Sequence, residues 1–250
     1  MAQGNNEQLY KKEYAEFIDH AAHDLDAPLR KLTVLIERLT QKLGPEQSKD
    51  VADYVQRINA QLSGMRSMVD GLSALSHTSA GAGPTGPHAV ESVIEEAWWE
   101  LKQPVNEAGA TIHSTGASLP VLDGDREQLK RLFHELFSNS LRFRKKDETA
   151  RIEVYASPLS QEEKKAFGLD PANAYFQLTV EDNGIGFAQE DAEKIFKPFV
   201  QLHGKSAFSG NGIGLAICKR IIDNHRGIIF AKSAEDAGAR FIFILPQTIN

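Results

Sequence analysis

Two apolar stripes constrain this chain more than anything else in it. Phe17, Ala21, Leu25, Pro28, Leu32, Leu35, Leu39 and Leu43 recur at steps of three and four until Gly44-Pro45 ends the series. Val51, Val55, Ile58, Leu62, Met65, Val69 and Leu72 then repeat the alternation. Apolar residues at that spacing line one face of a helix, and two such helices joined by a short loop make an antiparallel hairpin. A lone hairpin cannot hide both stripes from water. The expectation is a homodimer through this N-terminal hairpin, closed as a four-helix bundle.

The stretch from Ser76 to Pro87 is dense in Ser, Gly and Pro, the composition of a linker. The expected boundaries are a helical-hairpin domain over 1–77, a linker over 78–88 and a second domain over 89–250. In that second domain the pattern alternates. Helices are expected near 89–108, over Arg126–Arg144 and over Gly212–His225. Strands are expected over Thr111–Ser114, Val121–Leu122, Arg151–Ser157, Tyr175–Glu181, Ile228–Ser233 and Arg240–Leu245. Pro158–Asn173 reads as a surface loop with a helical turn near Gln161–Phe167. The fold class is therefore α+β: a helical hairpin followed by an α/β sandwich.

Composition narrows the function. A net charge of −6 argues against a nucleic-acid surface but leaves room for a small anionic ligand in a local site. Cys218 is the only cysteine, which rules out an internal disulfide and fits a reducing compartment. No apolar run approaches the ~20 residues that span a bilayer, and the N-terminus lacks the basic and apolar regions of a signal peptide. The expectation is a cytoplasmic portion, with no membrane segment and no sensor or input domain in this chain.

Most of the eight histidines need no function. His23 differs by position. At ~100° per residue it lies ~200° from the apolar stripe centred near Ala21, so it points to solvent. Asp24 is beside it, and Pro28 removes a backbone donor five residues later. An exposed imidazole next to a carboxylate suits a nucleophile served by an external active site, although a solvated histidine has the same signature. Phe17-Ile18-Asp19-His20-Ala21-Ala22-His23-Asp24-Leu25-Asp26-Ala27-Pro28-Leu29-Arg30 resembles the phosphoacceptor box of sensor histidine kinases, in the form common to phytochrome-type members. The resemblance implies that His23 accepts the phosphoryl group and Asp24 is its acid/base partner. Many members that also dephosphorylate their regulator have Thr or Asn where this chain has Ala27, so the water-orienting group of that route is missing.

Three further segments point to a nucleotide. Asp182-Asn183-Gly184-Ile185-Gly186 follows a strand and places a carboxylate where it can accept a hydrogen bond from an exocyclic amine, though Asn-Gly turns are common. Gly210-Asn211-Gly212-Ile213-Gly214-Leu215 opens a helix whose free N–H groups favour phosphate. In the third segment, the helix expected over Arg126–Arg144, Glu135, Asn139 and Arg142 share one face, with Phe143 at its end. Oxygen donors such as Glu135 and Asn139 suit Mg²⁺, and Arg142 suits phosphate.

In order and spacing these segments resemble the boxes of the ATPase superfamily that includes gyrase, Hsp90, MutL and histidine kinases. Lys194-Ile195-Phe196-Lys197-Pro198-Phe199 resembles the family's phenylalanine box. The resemblance implies an ATP-binding sandwich of the Bergerat type, with ATP and Mg²⁺ as cofactors. Asn139, with Glu135, would hold the metal. Asp182 would read adenine, Gly184 and Gly186 would let the base pocket close, and Gly210, Gly212, Gly214 and Leu215 would line the phosphates. Glu135 departs from the kinase branch, which often has Asn there, whereas hydrolysing relatives use Glu to activate water. Arg226 stands where Gly is usual. The implied function is a two-component sensor kinase: ATP-dependent phosphorylation of His23, then transfer to an aspartate on a response-regulator receiver domain. The rivals are a clamp-type ATPase of the same superfamily and a non-catalytic phosphotransfer scaffold.

Overall fold

A computed structural model describes residues 22, 25, 26, 28–41, 49–79, 81–114, 119–202 and 212–248. The chain divides into two compact units, one built on the N-terminal helices and one running from Gly81, with residues 212 and 213 grouped with the first. In the first unit, residues 28–41 are helical and α1 spans Lys49–Ser79. Ala22, Leu29, Leu62 and Val69 are buried together, with Ile36 and Leu72 packed against them. The expected stripes divide at this seam. Leu62, Val69 and Leu72 join it, while Leu25, Leu32, Leu35, Leu39, Ile58 and Met65 remain 44–59% exposed. The Gly44-Pro45 loop lies outside the described residues.

The second unit begins with β1 (Gly86–Ala89), α2 (Val90–Glu100) and α3 (Lys102–Ala108). It continues with β2 (Thr111–Ser114), β3 (Val121–Gly124), α4 (Arg126–Arg142) and β4 (Arg151–Pro158). Then come α5 (Gln161–Ala166), β5 (Tyr175–Asp182), α6 (Gly214–Asn224), β6 (Ile228–Ser233) and β7 (Ala239–Pro246). Five strands form a sheet in the order β2-β4-β5-β7-β6, parallel only between β2 and β4. Period two sorts its faces. Val154, Val180, Phe241 and Ala231 lie in register across four strands and are buried. On the opposite face Glu181 accepts hydrogen bonds from Tyr155 Oη at 3.1 Å and Arg240 at 2.8 Å.

Helix α4 is the axis of this core. Asp125 caps it, its Oδ1 accepting from the N–H groups of Glu127 and Gln128 at 3.0 and 3.1 Å. Leu129, Leu132, Phe133, Leu136, Phe137, Ser140 and Leu141 make its buried face at steps of three and four. Phe133 meets Phe137 and Phe243 at ring-centroid separations of 5.8 and 5.9 Å, and Trp98 meets Phe137 edge-on at 5.7 Å. Such contacts carry about 0.5–1.5 kcal/mol each beyond area burial.

The element pattern differs from expectation in two places. The helix expected over 89–108 breaks at Leu101, because Pro104 has no N–H to give the carbonyl four residues back and its ring would clash there. The expected linker contains β1, paired antiparallel with β3 from Gly86 opposite Gly124 to Ala89 opposite Val121. Within the 158–173 loop the helical turn expected near Gln161–Phe167 is α5, closed by a capping box between Ser160 and Glu163. Just beyond it Phe167 stacks on Phe230 at 6.0 Å.

Candidate nucleotide site

The site grows from the polar flank of α4 and the end of β5. Asp182 closes β5, and its carboxylate is fully oriented. Oδ1 accepts from the N–H of Gly184 at 2.9 Å and of Ala239 at 3.2 Å. Oδ2 accepts from Ser140 Oγ at 3.0 Å, which leaves a lone pair on Oδ2 for one more donor. Burial pushes the Asp182 carboxyl above its ordinary value, and the bonds from Gly184, Ser140 and Ala239 pull it back in part.

The loop after Asp182 is locked to α4. Ile185 N–H donates to the Phe143 carbonyl at 2.9 Å. A Cβ on Gly184 would lie 2.6 Å from that carbonyl oxygen, and one on Gly186, at φ 64°, would collide with the carbonyl of Ala234. These glycines admit the protein's own backbone, which is how Phe143 and the adjacent loop reach one another.

Glu135, Asn139 and Arg142 do share the half-buried flank of α4. Arg142 Nη1 lies 3.5 Å from Asn139 Oδ1. Burial pulls its guanidinium pKa down, opposed by the charge of Glu135. No ion pair joins Arg142 to a carboxylate among the described residues, so an anion there would relieve a partly desolvated cation. Glu135 is engaged by Arg131 at 2.6 Å, and its other oxygen lies 2.5 Å from where a Cβ on Gly214, the first residue of α6, would stand. Among the described residues no group of three or more His, Cys, Asp or Glu could hold a metal. A Mg²⁺ held by the oxygens of Glu135 and Asn139 would therefore have to take its other ligands from phosphate and water.

Gly212 sits at φ 68° ahead of α6, and Leu215 is the second residue of that helix, half-buried. His23, Asp24, Ala27 and Gly210 lie outside the described residues. Sequence reasoning passed over Ser140, Arg131 and His225. Ser140 had a signal: a hydroxyl amid Leu136, Phe137 and Leu141 must find an acceptor. His225 is buried at the end of α6; its Nδ1 is 2.8 Å from the Ile221 carbonyl, and its Nε2 accepts from the Asp125 N–H at 3.0 Å. That geometry selects the neutral Nδ1–H tautomer, and burial holds its pKa below the usual histidine value.

Known proteins resemble this chain in sequence and in fold. Residues 124–249 match the family described as histidine kinase-, DNA gyrase B-, and HSP90-like ATPase. Cyanobacterial phytochrome A of Nostoc sp. is 31% identical over 234 residues, which is 94% of this chain and 28% of the phytochrome. The chain thus spans under a third of that relative's length. Full-length ShkA in complex with AMPPNP superposes with a TM-score of 0.65 at 20% identity, covering 94% of this chain and 46% of ShkA. Histidine kinase ThkA in complex with response regulator protein TrrA superposes with a TM-score of 0.60 at 18% identity, covering 98% of this chain and 66% of that one. At those identities the two structures establish a common fold. Half of the chain is matched by the family, and its relatives also include signal transduction histidine-protein kinase BaeS of Escherichia coli, 26% identical over 92% of this chain and 46% of BaeS. The chain belongs to the histidine kinase-, DNA gyrase B- and HSP90-like ATPase family, on its histidine kinase side.

Proposed function

We propose that this chain binds ATP in its second unit and transfers the γ-phosphoryl group to His23. The observation that carries this reading is the Ser140–Asp182 bond, which ties the proposed base-reading carboxylate to the helix bearing Asn139 and Arg142. The free Oδ2 lone pair accepts from the adenine amine, and Arg142 meets the phosphates. Asn139 and Glu135 would hold Mg²⁺, which when bound offsets charge on the phosphate oxygens. A ring nitrogen of His23 attacks the γ-phosphorus in line as the bond to the ADP oxygen breaks. Asp24 takes the ring proton.

Phosphohistidine then donates to an aspartate of a response-regulator receiver domain, as the ThkA–TrrA assembly makes structurally reasonable for a shared fold. The half-exposed leucines of the first helical stretch and Ile58 and Met65 of α1 support a homodimer closed over them. No helix among the described residues is long and apolar enough to cross a membrane, which accords with a cytoplasmic working place for this portion.

Incubation with γ-labelled ATP and Mg²⁺ tests the reading. Acid-labile, base-stable label is expected on the wild type and on neither His23→Gln nor Asn139→Ala. Phosphate release that depends on Asn139, without protein labelling, would replace the kinase by an ATPase.

A further inference from the structure

The linker between the two units is held down. Gln128, in the first turn of α4, donates from Nε2 to the Gly81 carbonyl at 2.7 Å. The Gly83 N–H donates to Asp125 Oδ2 at 2.6 Å, while Oδ1 of the same carboxylate caps α4. Both anchors are themselves tied to the end of α6. Asn224 Nδ2 donates to Gln128 Oε1 at 3.0 Å, and Asp125 N–H donates to His225 Nε2 at 3.0 Å. The helix α1 ends at Ser79, so a single residue, Ala80, separates it in sequence from the first anchored carbonyl. Released, the chain from Ala80 to Thr85, where β1 has not yet begun, would offer six residues and a reach of roughly 20 Å.

We infer that Asp125 and Gln128 form a latch that restrains excursions of the ATP-binding unit about the helical unit by shortening the linker's free length. The closed bonds are neutral in one arm and charge-assisted in the other, so together they favour the latched state while leaving it openable by thermal motion. The latch lies outside the residues that would touch nucleotide. On the kinase reading, Asp125 and Gln128 are therefore positioning residues, setting how often the ATP site meets His23 without changing how tightly it holds ATP. The mechanical claim stands whether or not that reading holds.

Two near-isosteric changes open the latch and spare its supports. In Asp125→Asn, Oδ1 still caps α4, as Asn caps helices about as well as Asp, but an amide faces the Gly83 N–H. In Gln128→Glu, the carboxylate still accepts from Asn224 but cannot donate to Gly81, and an acid in the first turn suits the helix dipole. The full chain, labelled through Gln56→Cys and Glu162→Cys and diluted in unlabelled chain, reports the spread of separations between the units by pulsed spin resonance. Both sites are exposed and the natural Cys218 is buried.

In the wild type the Gly83 amide is protected from exchange and the spread is narrow. In the double variant the Gly83 amide exchanges about tenfold faster, the charge-assisted bond being lost, and the spread broadens. Autophosphorylation at saturating ATP rises several-fold with KM for ATP unchanged. An unprotected Gly83 in the wild type, protection that survives both substitutions, or an unchanged spread once protection is lost each overturn the latch. A wild type that never labels His23 defeats the kinase reading instead, and the distance spread still decides the latch.

Discussion

Asp182 is oriented by three donors before any ligand arrives, and it carries a charge that its surroundings oppose. Its folded pKa is raised above the ordinary carboxylate value, so the acceptor form is lost as pH falls through a point higher than for a free aspartate. The affinity for a non-hydrolysable ATP analogue is therefore expected to weaken on mild acidification, earlier than any exposed carboxylate would titrate. Asp182→Asn should cost about 10- to 100-fold in that affinity and remove the pH dependence, as read by calorimetric titration. Asp182 was legible in the sequence because it ends a strand ahead of a glycine turn. Its partner Ser140 was obscured by its neighbour Asn139, since one residue along a helix turns a side chain from the solvent flank to the core. Arg131 had a signal of its own: it stands four residues before Glu135 on the same helix, the spacing of an intrahelical ion pair.

Among the elements, α4 and α6 are joined at one end by His225, whose neutral ring bridges Ile221 and Asp125. Its pKa is lowered in the folded state, so the unfolded chain binds the proton more readily. The stabilisation is complete above the unfolded value near 6.5 and is lost as pH falls through the folded value. Urea unfolding should show this slope below neutral pH, and His225→Phe should reduce it, the rest coming from His134, which burial also holds below its ordinary value, while costing about 1–3 kcal/mol for the stranded Asp125 N–H. Helix positions followed from apolar periodicity, which is why α4 and the strands of the central sheet were readable. The break at Leu101 and the strand inside the expected linker were not. Pro104 acts through the carbonyl four residues earlier, and β1 exists only because β3 is there to pair with it, a long-range cause that Gly/Pro composition conceals.

At the scale of the whole molecule, the helical unit keeps Leu32, Leu35 and Leu39 at 47–59% exposure although its own seam is closed by Leu29, Leu62 and Val69. Residues of the expected stripes therefore serve two surfaces, which spacing alone could not separate because both recur at steps of three and four. On the proposed homodimer, Leu35→Glu is expected to shift sedimentation equilibrium from dimer to monomer, with little change in the unfolding of the ATP-binding unit. Helix α4 joins the scales. Its seventeen residues form a rod roughly 25 Å long, with the linker fastened to its first turn and the side chains proposed to meet nucleotide along its second half. A rod of that kind passes on a tilt without spending it in bending. On the proposed function, timing and chemistry have separate addresses on one lever: drift in the first turn would retune how long the chain waits, and leave untouched what it does when it acts.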